Sequence, residues 1–239
     1  MRTALIGLSL FFGVLSASGT ALAQAPAEDD RPVLSGGFDL IELRESRGSD
    51  RVFWDGSFAW GNTTDQAVLM IEGGGEVGTR MDDVQARLLY SRAIGGNAVL
   101  LVGVRHEFRP HPHASYAVLG AQGQVGSRLS WESFAFLSDD GQLTGNGKLI
   151  YQLPLTDRLY LEPRGEIAWS AQRDEADGLG AGLTDAQASI RLRLKLNDKV
   201  NGYLGVAHER LLADSRDLGR AQGEALQTTM AVIGFGFSL

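Results

Sequence analysis

Along residues 227–239 the even and odd positions carry different chemistry. Thr229, Ala231, Ile233, Phe235, Phe237 and Leu239 form one face; Thr228, Met230, Val232, Gly234, Gly236 and Ser238 form a smaller and more polar one. A period of two is the signature of a β-strand. In water, an apolar strand face with nothing over it invites aggregation. Against hydrocarbon, with aromatics near an interface, the same face is at home. The stretch therefore points to one wall of a barrel in lipid, and the rest of the chain must supply the other walls.

It supplies eleven further runs. They are residues 38–45, 52–60, 67–77, 83–93, 98–108, 114–125, 129–138, 142–153, 159–171, 186–196 and 200–211, which with the last stretch make about twelve strands. The first does not alternate cleanly. Alternation is clearest at 186–196, where Ala186, Ala188, Ile190, Leu192, Leu194 and Leu196 oppose Gln187, Ser189, Arg191, Arg193 and Lys195. Trp54 and Trp60 share a face six residues apart, roughly 20 Å along a strand, which suits two interfacial belts. Pro163 lacks a ladder donor, so a bulge is expected there. An even strand count of roughly 11 residues each, with short turns alternating with longer loops at 173–182 and 213–224, is the pattern of a closed antiparallel transmembrane β-barrel.

The competing fold is a soluble β-sandwich, whose strands also alternate but turn their apolar faces inward. The N-terminus speaks against it. Arg2, an apolar run over residues 5–15 and Ala21-Leu22-Ala23 match a signal peptide cleaved near Ala23. The expected organisation is thus a leader at 1–23, a flexible periplasmic segment at 24–37 and an outer-membrane barrel at 38–239, in the bacterial outer membrane with lipid as its surroundings. Without Arg2 the chain carries 21 basic and 29 acidic residues, a net charge of −8 that excludes nucleic acid as an expected partner. With no Cys there is neither a thiolate metal site nor a thiol nucleophile.

If the apolar faces meet lipid, then Glu72, Glu76, Arg87, Arg105, Glu107, Lys148, Glu162, Arg164, Glu166, Arg191, Arg193, Lys195 and Glu209 point into the lumen. Both signs occur, so the residues either pair and plug the lumen or line a path for an ion; pairing is favoured, because an isolated charge in such a space is costly. The four histidines fall near the external rim. His111 and His113, two apart in a loop, with Met81 in the preceding external loop, are candidate metal ligands, since imidazole and thioether serve copper where thiolates are absent. His106 and His208 have lipid-side parity. Met70 and Met230 point inward on strands that are not neighbours. No Gly-x-Ser-x-Gly elbow appears, and the pairs Asp82, Asp83 and Asp139, Asp140 read as solvated turn residues, so no enzyme is expected.

Several segments together resemble the copper resistance protein B family. They include Trp54-Asp55-Gly56, Leu89-Tyr90-Ser91-Arg92-Ala93, Phe108-Arg109-Pro110, Tyr116-Ala117-Val118-Leu119-Gly120 and Phe136-Leu137-Ser138-Asp139-Asp140-Gly141. Leu161-Glu162-Pro163-Arg164, Gly182-Leu183-Thr184-Asp185 and Tyr203-Leu204-Gly205-Val206 continue the likeness in order. The resemblance implies an outer-membrane barrel in copper tolerance, with copper ion as its ligand and a periplasmic multicopper oxidase among its associates. Members often carry a Met- and His-rich N-terminal extension; residues 24–37 contain neither residue. The resemblance thus leads to a barrel that binds copper or passes it across the outer membrane. The other reading is a small structural or adhesive barrel plugged by its own ion pairs.

Overall fold

A computed structural model describes residues 31–46, 50–79, 81–110 and 113–239. The expected leader and half of the segment at 24–37 lie outside these residues. Twelve long strands follow one another: β1 (Val33–Glu45), β2 (Asp50–Gly61), β3 (Asp65–Glu76), β4 (Met81–Gly95), β5 (Ala98–Arg109), β6 (Ala114–Val125), β7 (Leu129–Ser138), β8 (Leu143–Tyr151), β9 (Leu159–Ser170), β10 (Gly182–Lys195), β11 (Val200–Leu211) and β12 (Gln227–Ser238). The two-residue piece Leu153–Pro154 continues β8 against β9. Every strand pairs antiparallel with its sequence neighbours, and β1 pairs with β12 to close the sheet. Closure satisfies both rims of hydrogen-bonding groups, which is the condition for crossing a bilayer with strands.

Which way the faces point decides between the two folds. Leu204 and Ile233, on the apolar parity of neighbouring strands, are 60% and 61% exposed, whereas Glu162, Arg191 and Arg193 are 0%, 1% and 1% exposed. Charge is inside and hydrocarbon outside. That is the reverse of a sandwich, and it would be untenable in water for a patch running round the whole molecule.

Three tryptophans on the outer wall lie against a cross-strand glycine. Trp54 is opposite Gly73, Trp131 opposite Gly123 and Trp169 opposite Gly145. A Cβ at Gly73 or Gly145 would stand 2.3 or 2.4 Å from the indole ring, so only glycine lets the ring lie along the wall. Trp54 and Trp169 sit toward the end of the barrel bearing the longer loops, and Trp60 and Trp131 toward the end bearing the short turns. Two of those short turns close on asparagine: Asn62 accepts from the amides of Thr64 and Asp65, and Asn197 from those of Lys199 and Val200. Each side chain stands in for a backbone turn bond.

The structure departs from the sequence reading in three places. β1 starts at Val33 and not at Phe38. Residues 33–37 belong to the stretch expected to be a flexible lead, yet Gly36 at φ 131° pairs with Phe58 where a Cβ would lie 2.1 Å from the Ser57 carbonyl oxygen, so the glycine permits close strand approach. Pro163 makes no bulge. It stays in register with Ile190 on β10, and the register with β8 is the same on both sides of it, because a missing donor removes a rung without adding a residue. The long connection after β11 contains a helix, α1 (Ala213–Gln222), capped by Gly223 at φ 74° and burying Ser215, Leu218 and Gly219. α1 is tied to the β9–β10 loop by the Gly180 amide, which donates to Ser215 Oγ at 2.7 Å, and by Arg173, 3.8 Å from Asp214.

Candidate functional site

Inward parity gathers the charged residues of the barrel into two groups with different chemistry. The first belongs to β1, β9 and β10. Arg164 Nη2 lies 2.6 Å from both Asp39 Oδ2 and Glu162 Oε1. Arg193 reaches Asp39 at 3.0 Å and Glu162 at 2.9 Å; Arg191 reaches Glu42 at 3.0 Å; Arg44 holds the same Glu42 at 2.7 Å. Four guanidinium groups thus meet three carboxylates at charge-assisted hydrogen-bond distance. Since β9 and β10 are separated from β1 by β11 and β12 in the sheet, the bonds of Arg164 and Arg193 to Asp39 and of Arg191 to Glu42 run through the lumen and not along the wall. Phe53 under Arg44 and Tyr203 under Arg193, at 3.8 and 4.6 Å, pack the guanidinium faces.

The second group belongs to β2, β3, β4, β7, β8 and β9. Asp55, Glu72 and Gln85 are successive cross-strand partners on one rung, and Glu132, Lys148 and Glu166 are successive partners on another. All are at least nine-tenths buried. Here Glu72, Glu132 and Glu166 face two cations, Arg87 and Lys148, and the pairs are long: 3.6 Å for Arg87 to Glu72, 3.4 Å for Lys148 to Glu166 and 3.9 Å for Lys148 to Glu132. Those distances leave Coulomb attraction with little or no hydrogen bonding. Glu72 Oε1, Gln85 Oε1, Glu132 Oε2 and Asn146 Oδ1 are buried and receive no hydrogen bond from the described residues.

Toward the short-turn end, Ala59, Val68, Met70, Leu89, Leu101, Val118, Phe134 and Phe136 make an apolar lining on the β2–β7 side. Arg87 and Arg105 lie over its aromatic edge, 5.1 Å from Phe134 and 4.5 Å from Phe136. Arg105 also pairs with Glu107, which accepts from the Tyr116 hydroxyl.

The residues named from the sequence fall as follows. Glu72, Arg87, Lys148, Glu162, Arg164, Glu166, Arg191 and Arg193 are in the two groups, with Arg105, Glu107 and Glu209 part-buried nearer the loop end. Glu76 and Lys195 are exposed at strand ends, so they belong to the mouths of the barrel and not to its interior. Asp39, Glu42, Arg44, Asp55, Gln85 and Glu132 are lumen residues absent from that set. Asp55 and Glu132 carried the right parity beside Trp54 and Trp131. Asp39, Glu42 and Arg44 were hidden because the β1 register slips between Phe38 and Leu40, which throws the alternation out of phase.

His111 lies outside the described residues. His113 is exposed, with its ring 5.8 Å from that of His106 and Nδ1 3.3 Å from the Glu107 carbonyl oxygen. His106 and His208 are on the outer wall, each 2.8 Å from a hydroxyl on the next strand, Ser115 and Thr229. Met81 is exposed at the start of β4. Met70 and Met230 point inward in separate clusters. Asp82 pairs with Arg51, and Asp140 accepts from Ser138. Among the described residues no three His, Asp or Glu side chains form a preformed metal cluster.

Fold and lumen together define a closed transmembrane β-barrel with an interior crossed by ion pairs. Its architecture is shared with a solved NanC porin structure, at a TM-score of 0.56 and 12% identity over 87% of this chain and 100% of that one. A family model for copper resistance protein B precursors matches residues 33–238, and the chain belongs to that family. It is 29% identical over 196 residues to the copper resistance protein B homolog of Pseudomonas syringae pv. tomato, covering 82% of this chain and 66% of that protein. It is 31% identical over 186 residues to copper resistance protein B of Escherichia coli, covering 78% and 62% respectively. The chain therefore spans a little under two-thirds of the length of the curated relatives it matches.

Proposed function

We propose that the protein serves copper resistance in the bacterial outer membrane, as a barrel that binds copper or passes it as a small ion, and that it is not an enzyme. In this reading the leader is removed near Ala23, the short turns face the periplasm and the longer loops face outside. Family membership supports the copper role. The lumen supports the restriction to small ions: bonds from β9 and β10 to β1 cross the interior and narrow it against a sugar-sized solute, while the carboxylate-rich side offers a route lined by negative charge. His111, His113 and Met81 at the loop end are the candidate capture ligands, copper is the bound ion, and a periplasmic multicopper oxidase is a candidate partner on the inner side.

The same cross-lumen bonds favour a second reading, a plugged barrel with a structural or adhesive role whose partners meet α1 and the β9–β10 loop. Copper flux into liposomes holding the refolded mature protein, with zinc as control, separates the two. Saturable copper entry that falls in the His111→Ala/His113→Ala variant supports the first. Absence of flux for both ions, with no copper binding at the rim, supports the second.

A further inference from the structure

We infer that the carboxylate-rich group in the lumen is a binding site for an oxygen-preferring divalent cation of the calcium or magnesium class, distinct from any copper site. Charge is the first argument. Glu72, Glu132 and Glu166 outnumber Arg87 and Lys148, all five are at least nine-tenths buried, and none of the three pairs among them is shorter than 3.4 Å. Glu132 also lies within electrostatic reach of Glu72 on the facing rung, so the two rungs are not isolated from one another. Buried like charges need a counter-charge.

The neutral side chains give the second, independent argument. Gln85 and Asn146 are 6% and 3% exposed, and in each the amide oxygen accepts no hydrogen bond from the described residues. Gln85 sits on the same rung as Glu72, directly across from it, on the same inward face. The orphaned atoms of this group are mostly acceptors: Glu72 Oε1, Gln85 Oε1, Glu132 Oε2 and Asn146 Oδ1, with the Ser57 hydroxyl able to act either way, against the single pure donor Lys148 Nζ. A cation is the ligand that satisfies many acceptors and brings positive charge. In the arginine-rich group the orphaned atoms include donors on two guanidinium groups, Arg44 Nη1 and Arg164 Nη1.

The donor set is all oxygen, from carboxylates, amides and a hydroxyl, which suits a hard cation and not the soft sulfur- and imidazole-seeking forms of copper. Because no three carboxylates among the described residues are already drawn together, the ion would be held partly through its own water shell. A calcium or magnesium ion here holds whether or not the barrel handles copper.

The test is isothermal titration of the refolded full mature protein with calcium chloride and, separately, magnesium chloride. One saturable site is expected for at least one of the two ions. Affinity should fall by about tenfold or more in Glu72→Gln/Glu132→Gln, since ligand charge sets affinity in oxygen sites. It should fall less in Gln85→Leu, which leaves the charge unchanged, and stay the same in Asp157→Asn on an exposed turn. Heat-dependent gel mobility shows which variants are folded barrels. If the double variant does not fold, Gln85→Leu alone decides. Lack of saturable binding of either ion, or binding that the lumen variants leave unaltered, overturns the proposal without touching the copper reading.

Discussion

Two halves of one lumen solve the problem of buried charge in opposite ways. On the β1, β9 and β10 side, arginine exceeds carboxylate and every measured pair lies between 2.6 and 3.0 Å. On the β2–β4 and β7–β9 side, carboxylate exceeds cation and the pairs stretch from 3.4 to 3.9 Å. Guanidinium groups explain part of the contrast. One fork serves two carboxylates at once, as Arg164 and Arg193 both do, whereas the ammonium of Lys148 is a point charge shared between two distant acids. The first half is a brace that ties opposite walls together. The second is left with capacity for a further cation, and the two halves should respond differently to the same kind of substitution.

The largest effect is expected at Arg164→Met. It removes one of the two guanidinium groups that Asp39 and Glu162 share and leaves Arg193 alone to balance both buried carboxylates, a loss of about 3–5 kcal/mol. Denaturant unfolding of the lipid- or detergent-refolded barrel, followed by tryptophan fluorescence, measures it. Lys148→Met should cost less, about 1–3 kcal/mol, because the contacts removed are long ones. Added calcium should restore part of that loss and none of the Arg164→Met loss. Equal costs, or equal insensitivity to calcium, would break the distinction between brace and cation site.

Glu72→Gln should be smaller again. Removing one charge from the crowded half relieves repulsion while it sacrifices the pair with Arg87, so stability should change by less than about 1 kcal/mol in either direction. The same measurement on Asp157→Asn, on an exposed turn, sets the floor at about 0.5 kcal/mol or below. A Glu72→Gln variant as damaged as Arg164→Met would mean that the looser half is as tightly paired as the other.

How much of this was legible beforehand depends on distance along the chain. Alternation alone placed Arg87, Lys148, Glu162, Arg164, Glu166, Arg191 and Arg193 on inward faces, since parity is a local property of each strand. It said nothing of who meets whom across the lumen. Arg164 and Asp39 are 125 positions apart, and Arg191 and Glu42 are 149 apart. Their meeting depends on barrel closure and on the slip in β1, neither of which leaves a local trace. The slip also hid Asp39, Glu42 and Arg44, because one extra residue reverses the phase of everything after it. Gln85 was missed for a different reason. A neutral amide on an inward face has no charge to mark it, and its interest lies only in what fails to bond with it. The helix α1 escaped because Gly219 and the run of Asp and Arg around it look like loop composition, while its stability comes from packing and from the Gly223 cap.

The tryptophans laid over glycines have a consequence for how the molecule rides in its membrane. An indole free to rotate can follow a drifting headgroup layer. One seated in a glycine notch has few places to go, so the loss of rotamer freedom is incurred on folding and not on meeting lipid. Trp54 and Trp169 near one rim, with Trp131 near the other, then act as fixed draught marks. A bilayer thicker or thinner than their separation must itself stretch or thin beside the wall, and the hydrophobic mismatch is borne by the lipid while the lumen keeps its shape.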